Sequence, residues 1–214
     1  VLQWHERTEN LMFDAKLTPI ITPSLVQLGK ICLRFGLNAN TLTAIGFGFG
    51  LCCGVLICVE AYGWAIGALL LNRMCDGLDG AVARLSQPTD FGGYLDIVCD
   101  FIFYAFVPFC FALTHPEKAV VAAFLMLSFV GTGSSFLAYA ILDAKNSAVD
   151  AHQSKKTKSF AYLGGLTEGT ETIAFFVLIL LYPDYFSVFA LIFGFLCWLT
   201  TGLLYTSPSP RDVC

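Results

Sequence analysis

The chain has 214 residues, of which 57% are hydrophobic and 13% charged, and its formal net charge is −4. Soluble domains carry about 25% charged residues, so this composition excludes a disordered chain and argues against a soluble globular one. The acidic balance excludes a basic nucleic-acid binder. With a mean hydropathy of +0.71, the bilayer is the natural solvent. A spanning helix needs about 20 residues, so the length allows about six spans joined by short loops.

In chain order, the first forty residues carry several charges and no long apolar run, so no cleavable signal peptide is expected. Leu25, Leu28, Cys32 and Phe35 then form one apolar helical stripe, while Gln27, Lys30 and Arg34 line another face. Thr22 suits the cap, Pro23 the first turn and Gly36 the end, which predicts an amphipathic interfacial helix over about 22–36. The stretches 41–59, 119–142 and 185–204 are free of charge and long enough to span. Gly46, Gly50 and Gly54 lie four apart in the first of them, leaving one helix face bare for close packing.

Three further apolar stretches are polar at one end. Residues 61–71 run into Asn72, Arg73, Asp76 and Asp79; 101–113 follow Asp96 and Asp100; 172–182 follow Glu168 and Glu171. With six spans, ten Lys and Arg fall on the side of the termini and Lys118 alone on the other, with Arg73 inside a span. The positive-inside rule then places both termini in the cytoplasm. All three polar interruptions face that same side and predict a hydrophilic cavity open to it. Cys52, Cys53, Cys58, Cys110 and Cys197 lie in apolar runs, and the nine cysteines are expected as free thiols.

The chemistry concentrates in DGLDGAVARLSQPTDFGGYLDIVCD, residues 76–100. On a helix Asp76, Asp79, Gly80, Ala83 and Arg84 share one face about 140° wide. Asp96 and Asp100, four apart, share another. Gln87–Asp90 reads as a tight turn, so two helices form a hairpin with four carboxylates facing one another. Uncompensated, four such charges at a membrane edge are very costly. Divalent cations such as Mg²⁺, Mn²⁺ or Ca²⁺ are the natural compensation, and two together would polarise a pyrophosphate. Gly80 and Ala83 leave room for a flat ligand against the backbone. Ion pathways use intramembrane carboxylates too, so an ion-coupled transporter is the alternative; a catalytically inactive scaffold is a third.

The pattern D-x-x-D-G-x-x-A-R, seven residues, then G-x-x-x-D-x-x-x-D is complete at Asp76, Asp79, Gly80, Ala83, Arg84, Gly92, Asp96 and Asp100. It resembles the signature of the CDP-alcohol phosphotransferases, and the resemblance extends over about residues 20–201. NANTLT (38–43) is similar to the family's P-N-x-x-T element, with Ala39 where proline is usual. SFVGTGSSFLA (128–138) and KSFAYLGGLTEGTET (158–172) resemble a bacterial branch of the family.

The resemblance implies an all-α integral membrane enzyme with six transmembrane helices, commonly a homodimer, in the inner (plasma) membrane. It would transfer the phosphatidyl group of CDP-diacylglycerol or a related CDP-lipid to an alcohol acceptor and release CMP, in phospholipid biosynthesis. It implies two divalent cations, Mg or Mn. Asp76, Asp79 and Asp96 would hold one, and Asp76, Asp96 and Asp100 the second, with Asp100 as the base for the acceptor hydroxyl. Gly80, Ala83, Arg84, Thr89, Asn40 and Thr43 would line the nucleotide-lipid site; Thr89, Asn40 and Thr43 read equally as helix caps. Lys155, Lys156 and Lys158 are candidate contacts for an anionic acceptor, or simply a positive loop. Glu168 and Glu171 would bind a polyol, or begin the fifth span, where acids suit the dipole. Glycerol phosphate, inositol phosphate and serine all stay open as acceptors, as does a CDP-linked headgroup donated to diacylglycerol. Residues 202–214, with their Pro and Ser content, read as a disordered, non-native tail.

Overall fold

The computed structural model describes residues 13–150 and 169–206. Among them every regular element is a helix: α1 (Phe13–Arg34), α2 (Ala39–Cys58), α3 (Tyr62–Leu85), α4 (Asp90–Thr114), α5 (Ala119–Asp150), α6 (Gly169–Leu181) and α7 (Phe186–Thr206). Short 3₁₀ turns, Pro116–Lys118 and Pro183–Tyr185, enter α5 and α7. Both open with proline, whose fixed φ suits a first turn and whose missing N–H is not needed there.

Four segments are long and apolar enough to cross a membrane: Ala39–Cys58, Asp90–Thr114, Pro116–Ala138 and Pro183–Gly202. The other two of the six expected spans are not among them over the described residues. Asn72, Arg73, Asp76, Asp79 and Arg84 interrupt the apolar run of α3. The apolar helix α6 is described over 13 residues, Gly169–Leu181, and the residues before it lie outside the described ones.

The spacing of four in Gly46, Gly50 and Gly54 sets the centre of the bundle. A methyl on Gly46 would meet the Cβ of Cys75 at 2.9 Å, and one on Gly50 would meet the Phe103 ring at 2.8 Å. One on Gly54 would overlap the Phe106 ring. The bare face of α2 therefore lets α3 and α4 approach its backbone, and these are the helices it packs against most. Helix α5 lies against α4 and α7, and α1 against α3. The core is aromatic: Phe103, Phe111, Phe129, Phe175, Phe176, Phe186 and Phe193 are buried together. Phe111 stacks on Phe186 at 4.4 Å between centroids and Phe175 on Phe193 at 4.3 Å.

Several sequence expectations shift. The first helix was expected to begin at Thr22, but α1 is already helical at Phe13 and runs through Thr22-Pro23, so Thr22 is no N-cap. Its end is as expected, with Gly36 at φ +75 just beyond Arg34. The expected stripe divides: Leu25 and Cys32 pack against Leu42, Leu78 and Val82, while Leu28 and Phe35 are exposed. The tight turn expected at Gln87–Asp90 lies one residue earlier, over 86–89, with Asp90 already in the first turn of α4. Helix α7 is described to Thr206. The cysteines described, Cys32 to Cys197, are all free.

Candidate active site

The polar end of α3 and the polar start of α4 meet beside the start of α2. Their cleft is lined by Thr43, Gly46, Phe47, Asn72, Arg73, Asp76, Asp79, Asp96, Cys99 and Asp100. Capping sets the entry of each helix. Asn38 Oδ1 accepts from the Thr41 N–H at 2.8 Å to start α2, and Thr89 Oγ1 accepts from the Gly92 N–H at 3.0 Å to start α4. The cap of α2 is thus Asn38 and not Asn40 or Thr43. Asn40 instead places its side-chain oxygen against Gly92: a methyl there would lie 2.9 Å from Asn40 Oδ1 and 3.0 Å from Thr89 Oγ1. Gly92 is what allows the two helix entries to close on each other.

Thr43 is buried and donates through Oγ1 to Asp79 Oδ2 at 2.6 Å, and to the Ala39 carbonyl at 3.1 Å. Asp79 is itself buried, so this bond satisfies one oxygen and fixes the carboxylate's orientation. Asp76, Asp79 and Asp96 each present a carboxylate oxygen, all within 4.8 Å of one another. Such a compact set of hard oxygen donors fits a divalent cation of the Mg²⁺ or Mn²⁺ kind.

The fourth carboxylate is engaged differently. Arg73 Nη2 donates to Asp100 Oδ1 at 2.7 Å and Nη1 to Asp100 Oδ2 at 3.4 Å. Tyr104 donates its hydroxyl to the same Oδ2 at 3.3 Å. Arg73 reaches Asp76 at only 3.5 Å. The sequence offers Arg73, with Arg84, as a nearby charge to offset these acids; its fork on Asp100 depends on the register of α3 against α4, 27 residues apart.

At the mouth, Arg84 is exposed and lies over Gly80, where an added methyl would sit 3.3 Å from its Nη1. Gly80, Ala83 and Arg84 thus continue the face of Asp76 and Asp79 toward the end of α3. Glu171 stands in the first turn of α6, half-buried. Lys155, Lys156, Lys158 and Glu168 lie outside the described residues.

Residues 37–203 match the CDP-alcohol phosphatidyltransferase family. The chain belongs to that family. Among CDP-alcohol phosphatidyltransferases and their relatives, it is 49% identical to Inner membrane protein YnjF of Escherichia coli strain K12 over 194 residues, covering 89% of this chain and 92% of that protein. It is 32% identical to Archaetidylinositol phosphate synthase of Pyrococcus horikoshii over 100 residues, 46% of this chain and 53% of that one. The fold is shared with the Mycobacterium tuberculosis phosphatidylinositol phosphate synthase PgsA1, solved with CDP-DAG bound. The TM-score is 0.58 at 18% identity, over 86% of this chain and 95% of that one. Of the eight motif positions of this family member, the four aspartates Asp76, Asp79, Asp96 and Asp100 line the cleft.

Proposed function

We propose that the protein transfers the phosphatidyl group of a CDP-linked lipid, such as CDP-diacylglycerol, to an alcohol acceptor and releases CMP. The observation that carries this reading is the convergence of Asp76, Asp79 and Asp96 to within 4.8 Å, on a helix face continuing through Gly80, Ala83 and Arg84. A PgsA1 structure of the same fold holds CDP-DAG, which supports a CDP-lipid donor. The three aspartates would hold a divalent cation, Mg²⁺ or Mn²⁺. A cation there would neutralise the pyrophosphate and stabilise CMP as the leaving group.

The chain's own groups do the rest. Thr43 fixes Asp79. Gly80 and Ala83 let the nucleotide-lipid approach the backbone, Arg84 meets its phosphates, and Asn40 and Thr89 line the same mouth. Asp100 faces the cleft and accepts the acceptor's hydroxyl proton; Arg73 and Tyr104 keep its two oxygens in place. General-base help of this kind is worth about 10²–10⁴-fold. The lipid arrives through the bilayer and the acceptor from water, which suits a cleft at one end of a six-span bundle in the inner membrane. Both termini and the cleft would face the cytoplasm, and the enzyme would act as a homodimer.

Purified protein incubated with CDP-diacylglycerol, Mn²⁺ and a panel of alcohols (glycerol phosphate, inositol phosphate, serine) tests the reading. CMP release that depends on one acceptor is expected. No release with any acceptor, and none with a CDP-linked headgroup and diacylglycerol, would overturn it.

A further inference from the structure

The row of small residues on α2 does not stop at Gly54. Cys58 takes the next place at the same spacing of four, as the last residue of the helix. Its thiol is exposed, beside the short link that carries Glu60 at φ +58 into α3. On the facing helix α4, Cys110 is 1% exposed and points into the same seam: a methyl on Gly54 would lie 2.8 Å from its Sγ. The thiols of Cys58 and Cys110 are in hydrogen-bonding contact. A disulfide needs Cα atoms within about 7 Å and side chains turned toward each other. Helix backbones come that close where the residues between them are small, and Gly54 stands one turn before Cys58. The pair lies three steps of this spacing beyond Gly46, which lines the cleft, about 18 Å farther along the helix.

We infer that Cys58 and Cys110 are a redox pair that closes into a disulfide and staples the end of α2 to α4, away from the carboxylate cleft. The inference rests on the placement of both termini in the cytoplasm, which puts the end of α2 on the far side of the membrane, where thiols are oxidised. There the exposed Cys58 thiolate attacks the disulfide of a thiol–disulfide oxidoreductase and forms a mixed disulfide. The Cys110 thiol gives up its proton and attacks the Cys58 sulfur, expelling the oxidoreductase thiolate. The chain loses two protons and two electrons, and the oxidoreductase disulfide becomes a dithiol. The staple fixes the far end of the helix whose near end carries Thr43 and its bond to Asp79.

Full-length protein in inner-membrane vesicles is quenched with acid, alkylated with N-ethylmaleimide, and read by intact mass and by peptide mapping without reductant. The wild-type chain is expected to keep two of its nine cysteines closed to alkylation, with Cys58 linked to Cys110, and to open all nine on reduction. Cys58→Ser and Cys110→Ser should each lose the link and alkylate at every remaining cysteine. In detergent, dithiothreitol should lower the unfolding midpoint of the wild type by about 5–15 °C and leave that of Cys110→Ser unmoved. In sealed vesicles of reduced wild-type protein, an impermeant maleimide should reach Cys58 from the non-cytoplasmic side alone. Nine open thiols on the unreduced wild type, or a link from Cys110 to Cys53 or any other cysteine, overturns the inference. Reaction of Cys58 from the cytoplasmic side overturns it too, and sinks the placement of the termini with it. Nine open thiols with Cys58 reactive from the far side sink the staple and leave the placement standing. The wild-type mapping decides by itself if either serine variant fails to fold.

Discussion

Replacing Asp100 by asparagine keeps an oxygen that Arg73 can grip but removes the proton acceptor. Turnover is expected to fall about 10²–10⁴-fold, with binding of CDP-diacylglycerol by isothermal titration changed far less. Near wild-type turnover would mean that another group, Glu168 or Glu171, takes the proton. Thr43→Val removes the 2.6 Å bond that orients Asp79. It should weaken Mn²⁺ binding about 10–100-fold, as loss of an outer partner does; an unchanged Mn²⁺ titration would show that Asp79 needs no orienting partner. The clustered aspartates were legible in the sequence because spacings of three and four fix a shared helix face before any tertiary contact forms. The bond between Thr43 and Asp79 was not, since it joins two helices 36 residues apart. Asn38, Asn40 and Thr43 all suit a cap, and which one caps depends on where α2 begins. Tyr104 could have been noticed, four residues after Asp100 and so on its face.

Helix α2 shows how a row of small residues decides the packing of its neighbours. Gly50→Leu should push Phe103 away and Gly54→Val should do so to Phe106, with overpacking costs of about 1–3 kcal/mol each. Both should lower the midpoint of thermal unfolding in detergent. Gly48, two residues from Gly50, has nothing within 4 Å of an added methyl. Gly48→Ala should therefore be neutral or slightly stabilising, by up to about 1 kcal/mol of helix propensity. Equal effects at all three positions would dismiss the close-approach explanation. The bare stripe was readable from sequence, but its partners were not, because a period of four says which face is open and not which helix fills it. The start of α1 was misjudged for a related reason. Thr22-Pro23 is a strong local start signal, yet the helix runs through it from Phe13.

At the scale of the whole molecule, the polar cluster lies at one end of the bundle and the aromatic core begins directly beneath it. Asymmetric charge predicts that Ser86, after α3, and Lys118, before α5, face opposite compartments. Single cysteines at these positions, in a chain cleared of native thiols, should react with an impermeant reagent from opposite sides of a sealed vesicle. Reaction of both from one side would overturn the six-span arrangement. Excess chelator should abolish CMP release, and added Mn²⁺ should restore it; full release in chelator would remove the metal from the reaction. Below Arg73, Phe103 meets Phe176 edge-on at 5.9 Å, and Phe129 meets Phe176 and Phe193 at 6.0 and 6.1 Å. Farther along, Phe111 stacks between Phe186 and Tyr62, at 4.4 and 6.0 Å. These packed rings give the cleft an apolar floor of low polarisability, so the carboxylate charges have to be balanced from within the cleft and not from behind it.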